Sequence, residues 1–267
     1  MSEIRGGSAP PKHVRIAVTR KISSAMTRCE LTHLPRAVID IARAREQHDA
    51  YEQALRSLDY RVESLPEEPG LADSVFVEDT AIVLDEVAVI TRPGAPSRRA
   101  ETASIAAALG KYRDPVRIEF PGTLDGGDVL RVGRSLYVGV SSRSDAGGIE
   151  QLGTLLRPFG YRVLPVAVQG CLHLKSAVTQ VTQDALLINS RYVERKQFPG
   201  MRCIEVDESE PFGANALMLG GGVIYPSSHP RTADVLRRHG IRVHTVEMSE
   251  TEKAEGGVTC CSLLLAP

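Results

Sequence analysis

Apolar positions in this chain fall into short runs separated by turns and by amphipathic stretches. Five times, a helical stretch and a turn lead into an apolar run that carries an arginine near its start. These are YRVESL at Arg61, VRIEFP at Arg117, YRVLPV at Arg162, MRCIEV at Arg202 and IRVHTV at Arg242. The arginines are 56, 45, 40 and 40 residues apart. Helix-turn-strand units resemble one another in any α/β protein, but five at such spacing read as a repeat. Each unit continues with two short strands: TAIVL with VAVIT, DVLRV with LYVGV, AVTQV with ALLIN, and ALMLG with GVIYP. Asp85-Glu86 and Gly133-Arg134 suit the tight turns between such strands. A helix is expected next, as over 97–110, where Ile105, Ala108 and Leu109 share a face. The last unit keeps one C-terminal strand, CCSLLL, whose partner is expected in VRIAVT at 14–19, followed by a long helix from about Asp40 to Leu58. The pattern predicts an α/β fold: a ring of five ββαβ blades closed by the N- and C-terminal strands. Such closure leaves few open sheet edges.

Composition narrows the picture. The chain has 267 residues, 42% hydrophobic and 24% charged, which is ordinary for a globular protein with a substantial core. Residues 1–12 read as a disordered lead with no apolar signal-like stretch, and 13–267 as a single domain. The formal net charge of −1, without blocks of like charge, excludes a basic nucleic-acid footprint. No apolar run approaches the roughly 20 residues that span a bilayer. The cysteines are Cys29, Cys171, Cys203, Cys260 and Cys261, an odd number that argues for a reducing compartment, hence the cytoplasm. Cys260 and Cys261, adjacent on an expected strand, would face opposite sides and not chelate one metal. No metal site is expected. A homodimer is the default for a soluble oligomer, though no outer apolar patch marks one.

The repeat also gathers chemistry. The residues opening the first hairpin strand of each unit should lie at one end of the ring, near its axis. They are Glu78 and Asp79, then Asp125 and Asp128, then His173 and Lys175, then Asn215, then Cys260. Acid, imidazole, amide and thiol together make the inventory of a covalent hydrolase. Singly, each has a plainer explanation. A cysteine in an apolar strand is usually a small buried hydrophobe, the role expected of Cys261 beside Leu263 and Leu265. Asp125 and Asp128 flank two glycines and suit a turn.

The motifs VFVEDTAIV, TRPGAPSRR, TLDGGDVL, GCLHLKS and GGVTCCSLL, spread from about Phe76 to Leu265, resemble those of the dimethylarginine dimethylaminohydrolase family of guanidino-group-modifying enzymes. The resemblance implies a pentein fold, the five-bladed α/β propeller. It implies Cys260 as nucleophile, His173 as general acid and base, and Asp125 as the carboxylate orienting His173. It further implies Asp79 and Glu78 around the substrate guanidinium, Arg98 and Arg143 on its carboxylate, Asp73 on its ammonium, and the backbone carbonyl of Ala254 as an added contact. The implied reaction is hydrolysis of dimethylarginine or monomethylarginine to citrulline and the methylated amine, with no metal or organic cofactor required. A segment over 19–29 is expected as a lid that is an ordinary mobile loop, ending in a surface thiol at Cys29. Two alternatives stand beside this reading: an arginine deiminase or another guanidine hydrolase of the same superfamily, and a propeller that binds without turnover.

Overall fold

A computed structural model describes residues 14–265; the lead expected over 1–12 lies outside the described residues. Among the described residues, fifteen strands form five sheets of three. The first blade joins β1 (Arg15–Arg20), β2 (Tyr60–Leu65) and the C-terminal β15 (Leu263–Leu265). The second comprises β3 (Ala81–Val83), β4 (Ala88–Ile90) and β5 (Pro115–Arg117). The third comprises β6 (Val129–Val132), β7 (Ser135–Val140) and β8 (Arg162–Ala167). The fourth holds β9 (Val178–Gln180), β10 (Ala185–Ile188) and β11 (Arg202–Glu205). The fifth holds β12 (Leu217–Leu219), β13 (Gly222–Pro226) and β14 (Val243–Val246). Every sheet has one antiparallel and one parallel pairing about its central strand. The closing pairs set Ala17 opposite Leu264 and Val18 opposite Leu263, so the chain ends share a sheet.

The central strands read as continuous apolar runs because both of their faces are buried. Their side chains alternate between two cores. On β1, Ile16 and Val18 enter the core shared with the second blade, while Ala17 enters the one shared with the fifth. On β13, Val223 and Tyr225 face the fourth blade and Ile224 faces the first. Leu136 and Val138 of β7 face the second blade, and Tyr137 the fourth. Five apolar clusters thus fill the five junctions between neighbouring blades, which makes the assembly a five-bladed α/β propeller, the pentein fold.

The α-helices among the described residues are α1 (Ile41–Ser57), α2 (Thr102–Leu109), α3 (Ala146–Leu156), α4 (Leu174–Ala177), α5 (Pro230–Arg238) and α6 (Ser249–Glu252). Asp40 caps α1 by accepting from the Arg43 amide at 3.1 Å, and Asp145 caps α3 by accepting from Gly148 at 2.7 Å.

The structure corrects the sequence reading in three places. The fourth blade has no crossover α-helix; a short 3-10 turn at Arg195–Gln197 replaces it. Pro199 and Gly200 follow at once, and Phe198 anchors the segment by packing edge-on to Tyr137 at 5.0 Å. Secondly, Cys260 and Cys261 precede β15 rather than lying on it. Their turn breaks the alternation, so Cys261 joins the fifth-blade core while Leu263 and Leu265 enter the second-blade core. Thirdly, 19–29 is no mobile loop. Ile22, Ala25, Met26 and Cys29 are all buried, Cys29 included. The segment that spans the mouth of the ring is the next one, 30–38.

Candidate active site

The residues at the axis sit on the tight turns that feed the first strand of each blade. One 3-10 turn, Val77–Thr80, carries Glu78 and Asp79; another, Gly126–Asp128, follows Asp125. His173 is the residue before α4. Turns rather than strand interiors place them, so their side chains converge instead of alternating.

Glu78 ties the blades together. Its Oε1 accepts from Lys175 Nζ at 2.5 Å and its Oε2 from Thr259 Oγ1 at 2.7 Å. Asn215 Nδ2 donates to the Lys175 carbonyl and to Thr259 Oγ1, both at 3.0 Å, and its Oδ1 accepts from the Thr259 amide at 3.1 Å. The Glu78 amide donates to the Cys260 carbonyl at 3.1 Å. Lys175, which the repeat places at the mouth, and Thr259, which it does not, therefore both belong to the site.

Beside this network His173 lies between carboxylates. Its Nε2 is 3.0 Å from Asp125 Oδ2, and its Nδ1 is 3.8 Å from Asp79 Oδ1. Asp125 is held in turn by the Gly94 amide, which donates to Oδ1 at 2.9 Å. Gly127 runs between the two acids, its amide donating to Asp79 Oδ1 at 3.0 Å. A side chain at Gly127 would meet both Asp79 and the His173 ring, so only glycine permits this approach. Asp128 fixes the backbone of the same element: it accepts from the Leu174 amide at 2.9 Å and from the hydroxyls of Ser141 and Ser144. Asp79, Asp125 and His173 present ligand-type atoms within 4.8 Å of one another. The two carboxylates among them also accept from the Gly94 and Gly127 amides.

These contacts set the protonation states. Burial alone would lower the His173 imidazole, but Asp79, the hydrogen bond to Asp125 and the charge of Asp128 outweigh it and raise the value to about 9. Burial would lift the Asp79 carboxyl; His173 and Arg98 outweigh that and hold it low. The Cys260 thiol is pushed up to about 12 by desolvation and by facing Glu78 and Asp79. At neutral pH the resting site thus pairs an imidazolium with a protonated thiol.

Cys260 and His173 stand where two cavities meet. The narrow one is lined by Asp73, Asp79, Arg98, Arg143 and Ala254, the wider one, of about 190 Å³, by Glu78, Lys175, Asn215 and Phe212. Of the nine residues given a role by the family resemblance, eight line one cavity or the other, and Asp125 stands behind His173. The two arginines differ sharply. Arg98 is buried; its guanidinium bonds Asp79, Glu101 and the carbonyls of Asp73 and Phe76. Arg143 is half-buried and donates to Thr32 Oγ1 at 3.1 Å. Asp73 accepts from the Glu30 amide at 3.1 Å, and burial raises its carboxyl.

A family model described as N,N dimethylarginine dimethylhydrolase, eukaryotic, matches residues 32–198. Over 226 residues the chain is 39% identical to the N(G),N(G)-dimethylarginine dimethylaminohydrolase of Pseudomonas aeruginosa, covering 84% of this chain and 89% of that protein. It is also 39% identical to the enzyme of that name from Streptomyces coelicolor, over 251 residues, covering 93% and 96%. A solved structure of the Pseudomonas aeruginosa protein, a cysteine-to-serine variant complexed with citrulline, superposes with a TM-score of 0.91 at 35% identity, covering 95% of this chain and all of that one. The N-terminal domain of a cyanobacterial arginine dihydrolase shares the fold, with a TM-score of 0.84 at 18% identity, covering 95% and 98%.

Proposed function

Because this chain belongs to the dimethylarginine dimethylaminohydrolase family, we propose that it hydrolyses Nω-methylated arginine to citrulline and the methylated amine, with Cys260 as the attacking thiol. The observation that carries the reading is the meeting of Cys260 and His173 between two cavities, one of them bearing the charges an α-amino acid requires.

The substrate guanidinium is a planar cation and a poor electrophile. Asp79 and Glu78 pair with its N–H groups and fix its plane. Arg143 and Arg98 attract the carboxylate, while Asp73 and the Ala254 carbonyl receive the ammonium. A thiol near 12 is inert at neutral pH. The bound cation reverses that by cancelling the negative field of Glu78 and Asp79, and the thiol proton leaves to solvent. The thiolate adds to the central carbon. Protonated His173 passes its proton to the departing nitrogen as the C–N bond breaks, leaving a thiouronium on Cys260 and neutral His173. His173 then takes a proton from water, whose oxygen adds to the same carbon. The C–S bond breaks, the thiolate departs, and citrulline forms as the new oxygen loses its proton. Asp125 holds the imidazole in line throughout, and no step uses a metal or organic cofactor.

The five inter-blade cores leave no separable unit, which supports residues 13–267 acting as one catalytic domain. Five free cysteines suit the cytoplasm. Among the described residues no helix is long and apolar enough to cross a membrane. A homodimer belongs to the same proposal, on the general prevalence of two-fold oligomers.

A substrate panel tests the reading. Dimethylamine release from dimethylarginine, with a trapped adduct mapping to Cys260 by mass, is the expected result. Faster ammonia release from free arginine would favour a deiminase. Stoichiometric binding without turnover would favour a binding propeller.

A further inference from the structure

The segment 30–38 covers both cavities: Glu30 reaches the narrow one, and His33 and Leu34 line the wider one. It has little apolar anchorage, since 32, 33 and 35–38 are exposed and Val38 is 88% exposed. Asp73 and Ser97 hold Glu30, Arg143 holds the Thr32 hydroxyl and Lys253 the Val38 carbonyl, but one side chain gathers its backbone amides. The Glu255 carboxylate accepts from three successive amides, Thr32, His33 and Leu34, at 3.0, 2.5 and 2.6 Å. An ionised acceptor shared by three N–H donors is much stronger than a neutral loop contact.

The backbone that presents Glu255 is unusual. Glu255 has φ of 59°, a left-handed conformation that residues with a side chain rarely adopt. The turn beyond it is wedged in place. A side chain at Gly256 would collide with the Phe76 ring, and one at Gly257 with Asn215. The same turn supplies Ala254 to the narrow cavity, and its Gly257 amide donates to Cys260 Sγ at 3.3 Å. The contact that shuts the mouth and the contact that positions the thiol therefore share one rigid strip of backbone.

We propose that Glu255 is a positioning residue: a latch that holds 30–38 closed over Cys260, so that passage of substrate and product requires its three amide bonds to break. The proposal rests on the site described above but not on the identity of the substrate.

The test is made without substrate. Glu255→Ala and Glu255→Gln are compared with the parent for the rate of iodoacetamide alkylation at Cys260, mapped by mass, and for tryptic cleavage after Arg36. Removal of the latch is expected to raise both rates about tenfold or more, the Gln variant falling between because it keeps an acceptor but loses the charge. Thr32→Pro removes one amide donor without touching the turn and should raise both rates relative to Thr32→Ala, which loses only the hydroxyl that meets Arg143. If Glu255→Ala fails to fold, the other two variants still decide. Unchanged rates in the folded variants would overturn the latch, whichever guanidine the protein hydrolyses. With substrate, a latch also predicts a larger change in KM than in kcat for Glu255→Gln, whereas a purely structural role would lower the melting temperature and leave that ratio alone.

Discussion

Nε2 of His173 lies 3.0 Å from Oδ2 of Asp125, a carboxylate withdrawn from solvent and held on its other oxygen by the Gly94 amide. The pairing fixes the orientation of the imidazole and helps keep the ring cationic to about pH 9.

Asp125→Asn therefore has a predicted signature in pH. In the proposed mechanism His173 releases the amine in its protonated form, and that protonation is lost as pH rises through about 9. Removing the carboxylate charge lowers the imidazole value, so the alkaline limb of the kcat profile moves toward neutrality. The turnover at its optimum should fall about a hundredfold, the usual scale for impaired general acid catalysis. A full pH–rate profile checks both. An alkaline limb that stays in place would detach Asp125 from the titration of His173.

The two neighbouring cysteines should separate cleanly. Cys260→Ser is expected to abolish turnover, because an unactivated hydroxyl cannot replace the thiolate. Cys261 is fully buried in the core beside the fifth blade, with its Sγ 3.8 Å from the Gly257 carbonyl. Cys261→Ser should retain most activity and lose about 1 kcal/mol of stability. Initial rates and thermal melts measure the pair, and the reverse pattern would move the nucleophile to Cys261.

How the ring could be read from sequence, and where reading stopped, follows from the range of the contacts. Central strands buried on both faces appear as plain apolar runs, and the arginine-led strands recur, so five blades and their closure by Ala17 and Leu264 were legible. The acids, His173 and Cys260 open equivalent units and could be placed together. Strand alternation failed for Cys261, because a turn and not a strand carries it. The fourth-blade connection was misread because Phe198 anchors it from inside the core, where helical periodicity says nothing. Glu255 and Thr32 are 223 positions apart, outside the repeat that brings Glu78 and Lys175 together, and no local pattern announces such a pair or the closing role of 30–38.

Glu78→Gln should act oppositely on thiol reactivity and on catalysis. Desolvation and the negative field of Glu78 and Asp79 hold the Cys260 thiol near 12, while Lys175 pulls it down. Neutralising Glu78 removes a repulsive charge and frees the Lys175 cation to act alone. The free thiol becomes more acidic, and its alkylation at mildly alkaline pH should speed up. The kcat/KM for methylated arginine should fall, because the guanidinium loses a partner. A variant slower in both assays would show that Glu78 does not hold the resting thiol protonated.

The arginines of the narrow cavity give the last contrast. Arg143 is half-buried and bonds Thr32 on the closing segment, so Arg143→Ala should raise KM about tenfold or more with little change in melting temperature. Arg98 is buried and bonded to Asp79, Glu101 and two carbonyls. Arg98→Ala strands two buried carboxylates and should cost about 3–5 kcal/mol of stability, with Asp79 displaced and kcat reduced as well. Burial has already lifted Glu101 to about 7, so in acid buffer it can take up a proton once its partner is gone. The stability loss should therefore be smaller in acid than in alkaline solution. Denaturant titrations of both variants across pH check this. Equal stability for Arg98→Ala and the parent would mean that Arg98 serves the substrate carboxylate alone and not the architecture around Asp79.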